Sequence, residues 1–254
     1  MATKLHPLGA PRAGYVWGAN PGHIDMATAP AKPVPLKIAA VPQNVTIDLK
    51  RSAMIVIDMQ NDFCAKGGWV DYLGADYTPD RKPIKPLQKL LPVLRQAGMP
   101  IIWVNWGNRP DLANMPPNQI HLYKPAGTGI GLGDPLPGSG APVLQKDSWA
   151  AAVVDELEQK PEDIKVDKHR ISGFWDTPLD SILRNLGIRT ALFSGVNTDR
   201  TKRWMAVRAV SRPATITPSP AASAGSWMAR PPSSAVATSA ASVVRPGSRS
   251  WARQ

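Results

Sequence analysis

The chain has a single cysteine, Cys64, among 254 residues. That excludes an intramolecular disulfide framework and points to a reducing compartment. It has no apolar run near the ~18 residues that a membrane-crossing helix needs, so no membrane role is expected. The first 25 residues lack the apolar core of a secretory signal, and a cytoplasmic location is the expectation. The four histidines (6, 23, 121 and 169) show no metal-ligand spacing, so neither a metal nor a cofactor is expected. The sharpest deficit is local: residues 201–254 contain no Asp, Glu, Leu, Phe or Tyr, and 12 Ala, 10 Ser, 6 Pro and 8 Lys/Arg make up most of them.

The same break explains the charge. The formal net charge is +11, yet residues 1–200 carry 22 Lys/Arg against 19 Asp/Glu, a net of +3. The tail supplies the other +8. Its positive charges are scattered rather than clustered, so no nucleic-acid partner is expected. A basic, Ser/Pro-rich extension on a binding protein is the rival reading.

Seven prolines fall within the first 50 residues, and 1–44 reads as an extended arm laid against a partner subunit or, alternatively, disordered. Residues 45–200 read as one α/β domain that is incomplete, with its C-terminal strands and helices missing or replaced by the anomalous tail. Ala53–Met59 (AMIVIDM) is a short apolar run ending in polar Gln-Asn-Asp, the pattern of a buried parallel strand that empties into a loop. Pro86–Ala97 has helical spacing (Ile84, Leu87, Leu91, Leu94) and stops at Gly98, with Pro92 expected to kink or shorten it. Pro100–Trp106 is the second strand, and 107–146, rich in Gly and Pro, reads as an excursion over the surface. Ser148 is expected to cap a helix through Leu157, followed by a third strand at Ile164–Val166. The next helix has Thr177 as N-cap, Pro178 at N1, Asp180 at N3, a buried stripe of Leu179, Ile182, Leu183 and Leu186, and Gly187 as its stop. Arg189–Ser194 is the fourth strand. This rhythm predicts a three-layer α/β/α fold with a mostly parallel sheet, and ligands beyond the carboxyl ends of its strands.

Two charged residues stand at those ends. Asp58 closes the first strand, where an unpaired carboxylate is costly and desolvation makes it a better base. It reads either as a general base or as a cap for nearby amides. Lys168 precedes a tight, Gly-containing turn and reads either as a cleft residue or as a solvated loop lysine. Together with the strand that ends in Gly195-Val196-Asn197-Thr198, these stretches gain meaning.

The chain resembles the isochorismatase-like cysteine hydrolases over roughly residues 50–200. Three stretches carry the likeness in order: VIDMQNDF (56–63), Lys168 with SGFWDTPLDSILRNLGIR (172–189), and FSGVNTD (193–199). Within the family it looks most like the ureidoacrylate and biuret amidohydrolases, a branch that GGWVDYLG (67–74) and NRPDL (108–112) also suit. The resemblance implies hydrolysis of the C–N bond in a small ureido or carbamoyl amide by an Asp-Lys-Cys triad. Asp58 takes the nucleophile's proton, Lys168 holds the ionised network, and backbone N–H groups around a cis Val196–Asn197 peptide stabilise the oxyanion. Gln60 and Asn61 fall near the substrate, and Trp106 and Trp175 are candidates for the pocket wall. A homo-oligomer is implied.

The departure comes where the nucleophile should be. The position after Asp199-Arg200 is Thr201, and its hydroxyl is far less acidic than a thiol. The expectation for this chain is absent or very low activity. Two explanations compete: a reading-frame shift near codon 200, which converts GC-rich sequence into Ala/Arg/Pro/Ser/Trp-rich chain, or a genuine divergent tail. The glycines of 127–133 follow no strand and open no helix, so no phosphate loop is read there. Cys64 lies on the loop past Asp58 and reads as a small pocket or loop residue, not a substitute nucleophile. The nicotinamidases of this superfamily carry an Asp/His metal site after the second strand, where Asn105–Asp111 has no His.

Overall fold

A computed structural model describes residues 4–10, 15–27 and 32–196. Thus the predicted break at 200 and the 201–254 tail lie outside the described residues. The arm carries three short antiparallel strands, β1 (His6–Leu8), β2 (Trp17–Asn20) and β3 (His23–Asp25). Then β4 (Pro35–Ile38) pairs antiparallel with β5 (Val45–Asp48), which leads into the domain.

The domain is built on β6 (Ser52–Ile57), followed by two single helical turns, α1 (Asn61–Cys64) and α2 (Trp69–Tyr72). The long helix α3 (Ile84–Gln96) leads to β7 (Ile101–Trp106), and α4 (Pro117–Tyr123) lies in the segment after it. The remaining elements are β8 (Ile164–Lys168), α5 (Leu179–Asn185) and β9 (Thr190–Gly195). The main sheet has the order β8-β7-β6-β9, all parallel. Successive strands first run from β6 through β7 to β8. The chain then returns to the other side of β6, which makes the carboxyl end of β6 the topological switch point.

Both faces of β6 are covered, which is why its sequence is apolar without alternation. Met54 and Val56 join Ile101 and Trp103 against Leu87, Leu91 and Leu94 of α3. Ala53, Ile55 and Ile57 join Ile102, Val104 and Val166 against Leu179 and Leu183 of α5 and Leu186 at its C-cap. The result is the three-layer α/β/α arrangement expected from the sequence.

Four expectations change. Pro92 sits inside α3 without ending it. The carbonyl of Gln88, which Pro92 cannot bond, belongs to an exposed residue where water can take its place. The excursion after β7 is not all surface, because Met115, Leu132, Leu136, Val143 and Leu144 are buried in the α3-side core. At α5 the cap is shifted by one residue, with Pro178 at the N-cap and Thr177 Oγ1 still accepting from Leu179 N at 3.2 Å.

The fourth correction concerns 148–157, which forms turns rather than a helix. Ser148 does start a turn, with Ala152 N donating to Ser148 O. Neighbouring backbone groups are then drawn off to the end of β6. Asn61 N donates to Ala152 O, Asp62 N to Ala150 O, and Val154 N to Met59 O. A helix through 157 would need those same groups.

Candidate active site

Asp58 follows the last residue of β6 with φ of 51°, in the left-handed region that few non-glycine residues adopt. Such a backbone costs on the order of 1–3 kcal/mol and persists only where its surroundings fix it. Here they do. Asp58 N still donates to Val104 O at 3.2 Å, and four residues onward are stitched to the 149–154 segment. The turn re-aims the side chain, which a further step of regular strand would have sent towards the α3 face.

Lys168 ends β8, two strands away from β6, a gap of about 9.6 Å at ordinary strand spacing. Its four-carbon stem spans the end of β7, and Nζ reaches Asp58 Oδ2 at 3.1 Å. Asp58 is 1% exposed and Lys168 2%. Burial pushes the lysine below its ordinary value, and the Asp58 carboxylate opposes that by charge attraction and a hydrogen bond. On the way the ammonium passes 4.1 Å from the centre of the Trp106 ring.

The polar residues after Asp58 form a frame. Gln60 is fully buried, and its side-chain amide pairs with the backbone of β7 as a strand neighbour would. Trp106 N donates to Oε1 at 2.9 Å, while Nε2 donates to Trp106 O at 2.8 Å and to Ala151 O at 2.6 Å. Asn61, 5% exposed, donates from Nδ2 to Trp149 O at 2.8 Å. Asp62 is fully buried and accepts from Trp69 N at 3.1 Å and Leu144 N at 2.7 Å. Desolvation raises its carboxyl to about 6 against the pull of those two N–H groups.

Trp106 is 4% exposed, and Trp175 stands 63% exposed. Nothing described joins Trp175 to Asp58 or Lys168. A run of edge contacts holds the buried indole: the Trp106 and Tyr123 rings meet at 6.1 Å and 88°, and Tyr123 meets Trp69 at 5.5 Å and 65°. Residue order alone gave no signal of this trio, because Tyr123 comes from the segment read as surface.

β9 brings Val196 to the same end of the sheet. Its N–H donates to Ile57 O at 3.0 Å, and the residue is 4% exposed. Gly195 precedes it with φ of 116°, and a Cβ there would lie 2.1 Å from Ile57 O, so only glycine fits this approach. Asn197 and Thr201, named from the sequence for the oxyanion turn and the nucleophile position, lie outside the described residues.

Cys64 ends the short helix α1 rather than sitting on a loop. It is fully buried, with Sγ donating to Asp80 O at 3.5 Å. Burial, with the Asp80 carboxylate adding to it, pushes its thiol up to about 12. A thiol so placed is not a nucleophile.

A family model described as the isochorismatase domain matches residues 52–213. A cysteine hydrolase from Pseudomonas syringae pv. phaseolicola 1448A is similar at 27% identity with a TM-score of 0.50, over 61% of this chain and 65% of that one. The match therefore spans just under two thirds of that protein's length. N-carbamoylsarcosine amidase from Thermoplasma acidophilum is similar at 24% identity with a TM-score of 0.43, over 63% of this chain and 78% of that one.

Proposed function

The chain belongs to the isochorismatase domain family, and from that premise we propose that its site is built to hydrolyse the C–N bond of a small ureido or carbamoyl amide. The observation that carries the reading is the Asp58–Lys168 pair, buried at the switch point with 3.1 Å between Nζ and Oδ2. A carboxylate held there by a cation is a base poised to take the proton of a nucleophile. The nucleophile then bonds to the substrate carbonyl carbon. As the C–N bond breaks, the proton taken up by Asp58 passes to the leaving nitrogen, and ammonia or an amine departs. Water, with its proton passing to Asp58, then releases the acyl group.

Thr201 occupies the position from which the family resemblance takes its thiol. Its hydroxyl holds its proton far more tightly, so this chain turns over little or no amide. Ammonia release from biuret and from ureidoacrylate tests both parts. The 254-residue chain is expected to release none above background. The nucleotide sequence around codon 200 supplies the second arm: where another frame places Cys after Arg200, the chain expressed in that frame is expected to be active. Its Asp58→Asn and Lys168→Met variants should each lose at least ~100-fold. Ammonia release at an ordinary enzymatic rate by the Thr201 chain overturns the inactive reading, and activity in the other frame that ignores Asp58 overturns the mechanism.

A further inference from the structure

Trp106 stands where its backbone and its ring are both held, and its ring face meets a buried cation. The backbone is fixed at both polar atoms by Gln60, through Trp106 N to Oε1 at 2.9 Å and Nε2 to Trp106 O at 2.8 Å. The ring is fixed by its edge contact with Tyr123, which in turn is braced by Trp69. Lys168 Nζ lies 4.1 Å from the centre of that ring. Lys168 is 2% exposed, so water does not solvate its charge, and among the described residues the named partners of Nζ are Asp58 Oδ2 and this indole face.

An ammonium has three N–H donors and no acceptor. Asp58 takes one direction. The negative face of an indole is the strongest side-chain π-partner for another, and it gains in strength when both groups are dry. We propose that Trp106 is a positioning residue, set by Gln60, whose ring face carries the Lys168 ammonium and keeps that lysine charged and aimed at Asp58. This rests on the reading of Asp58 and Lys168 as the catalytic pair. It assigns a different job to two residues whose sequence position suggests substrate contact. Gln60 has both ends of its amide committed to backbone, and Trp106 turns its face to the lysine.

The charge state of Lys168 can be read without turnover, by heteronuclear NMR of ε-labelled lysine in the full chain, with the Lys168 signal assigned from its loss in Lys168→Met. Trp106→Leu keeps apolar bulk but removes the π face, and Trp106→Phe restores a weaker one. The ionisation constant of Lys168 is expected to shift roughly tenfold, about one pH unit downward, in Trp106→Leu, with Trp106→Phe recovering a good part of it. Biosynthetic replacement of tryptophan by increasingly fluorinated tryptophans keeps the ring's shape and weakens its face. It covers the case in which Trp106→Leu fails to fold, and the Lys168 midpoint should then fall stepwise with fluorination. Equal midpoints in the Leu and Phe variants, or a midpoint indifferent to fluorination, overturn the proposal. Failure of the amide-hydrolase reading would show instead as activity independent of Asp58 in the chain expressed in the frame that supplies Cys after Arg200, with the Trp106 dependence of the Lys168 midpoint intact.

Discussion

Replacing Lys168 by Met removes a charge but keeps most of the side chain's apolar length. The packing against Trp106 is therefore largely preserved while the Asp58 carboxylate loses its cation. At 3.1 Å and an effective dielectric of ~20, the gross attraction between the two charges is about 5 kcal/mol. What the variant loses is governed more by the carboxylate left behind. Asp58 is 1% exposed, and an uncompensated buried charge of this kind destabilises by ~3–5 kcal/mol. Asp58→Asn should cost a similar amount by stranding the ammonium. The double variant strands nothing, so its loss should fall well short of the sum of the two, by ~2–4 kcal/mol.

The assay is urea unfolding followed by far-UV circular dichroism for the parent, both single variants and the double variant. Lowering the pH adds a second discriminator. In Lys168→Met the stranded carboxylate is relieved by taking up a proton, so this variant should gain stability relative to the parent as pH falls from 7 towards 5. Losses that add within ~0.5 kcal/mol, or a Lys168→Met chain whose deficit is the same at both pH values, would show that the two groups do not form a coupled buried pair.

Three further outcomes are expected. Asp62 has its carboxyl raised to about 6 from an ordinary 3.8, so between those values the folded chain holds a proton that the unfolded chain has released. Its stabilising share is present below pH 4 and is lost as pH rises through 6, a swing of ~3 kcal/mol; urea midpoints of Asp62→Asn and parent from pH 4 to 7 should diverge accordingly, and parallel curves refute it. Gly195→Ala places a Cβ 2.1 Å from Ile57 O and should destabilise by ~3 kcal/mol or more, whereas an unchanged melting temperature would mean β9 does not end as described. Cys64, the sole cysteine, should resist Ellman's reagent at pH 8 in the folded chain and yield one thiol equivalent in guanidinium; rapid labelling of the native protein contradicts a thiol pushed up to about 12.

The parallel sheet was legible because burial on both faces leaves a simple trace, short apolar runs such as Ile101–Trp106 bounded by helices with regular spacing. Asp58 and Lys168 were legible as charges at strand ends, and only the family resemblance put them in one ionised network, since their contact depends on β8 lying two strands from β6. The 148–157 stretch misled because its helix signal is local and real. Ser148 makes its turn, and the groups that would continue it are claimed by Met59, Asn61 and Asp62, far earlier in the chain. The excursion after β7 misled for a related reason. Its buried residues, Met115, Leu132, Leu136, Val143 and Leu144, follow no period, because a chain without regular structure has none to impose.

The polar run after β6 shows how one motif divides its labour. Gln60, Asn61 and Asp62 are buried, and each spends its side chain on backbone groups of another segment: Trp106 and Ala151, Trp149, and Trp69 with Leu144. Asp58 alone directs its charge to the lysine across the sheet. The division follows from geometry. A residue at φ of 51° breaks the strand, so the residues after it can no longer pair with β7 through their own backbone. Gln60 restores that pairing with its side-chain amide, which has the same donor and acceptor as a peptide group. The strained turn is thus held from both sides. In the proposed role of Asp58 as the base this restraint has a use, because a carboxylate free to swing into water would lose both the lysine and the dry surroundings that make it reactive.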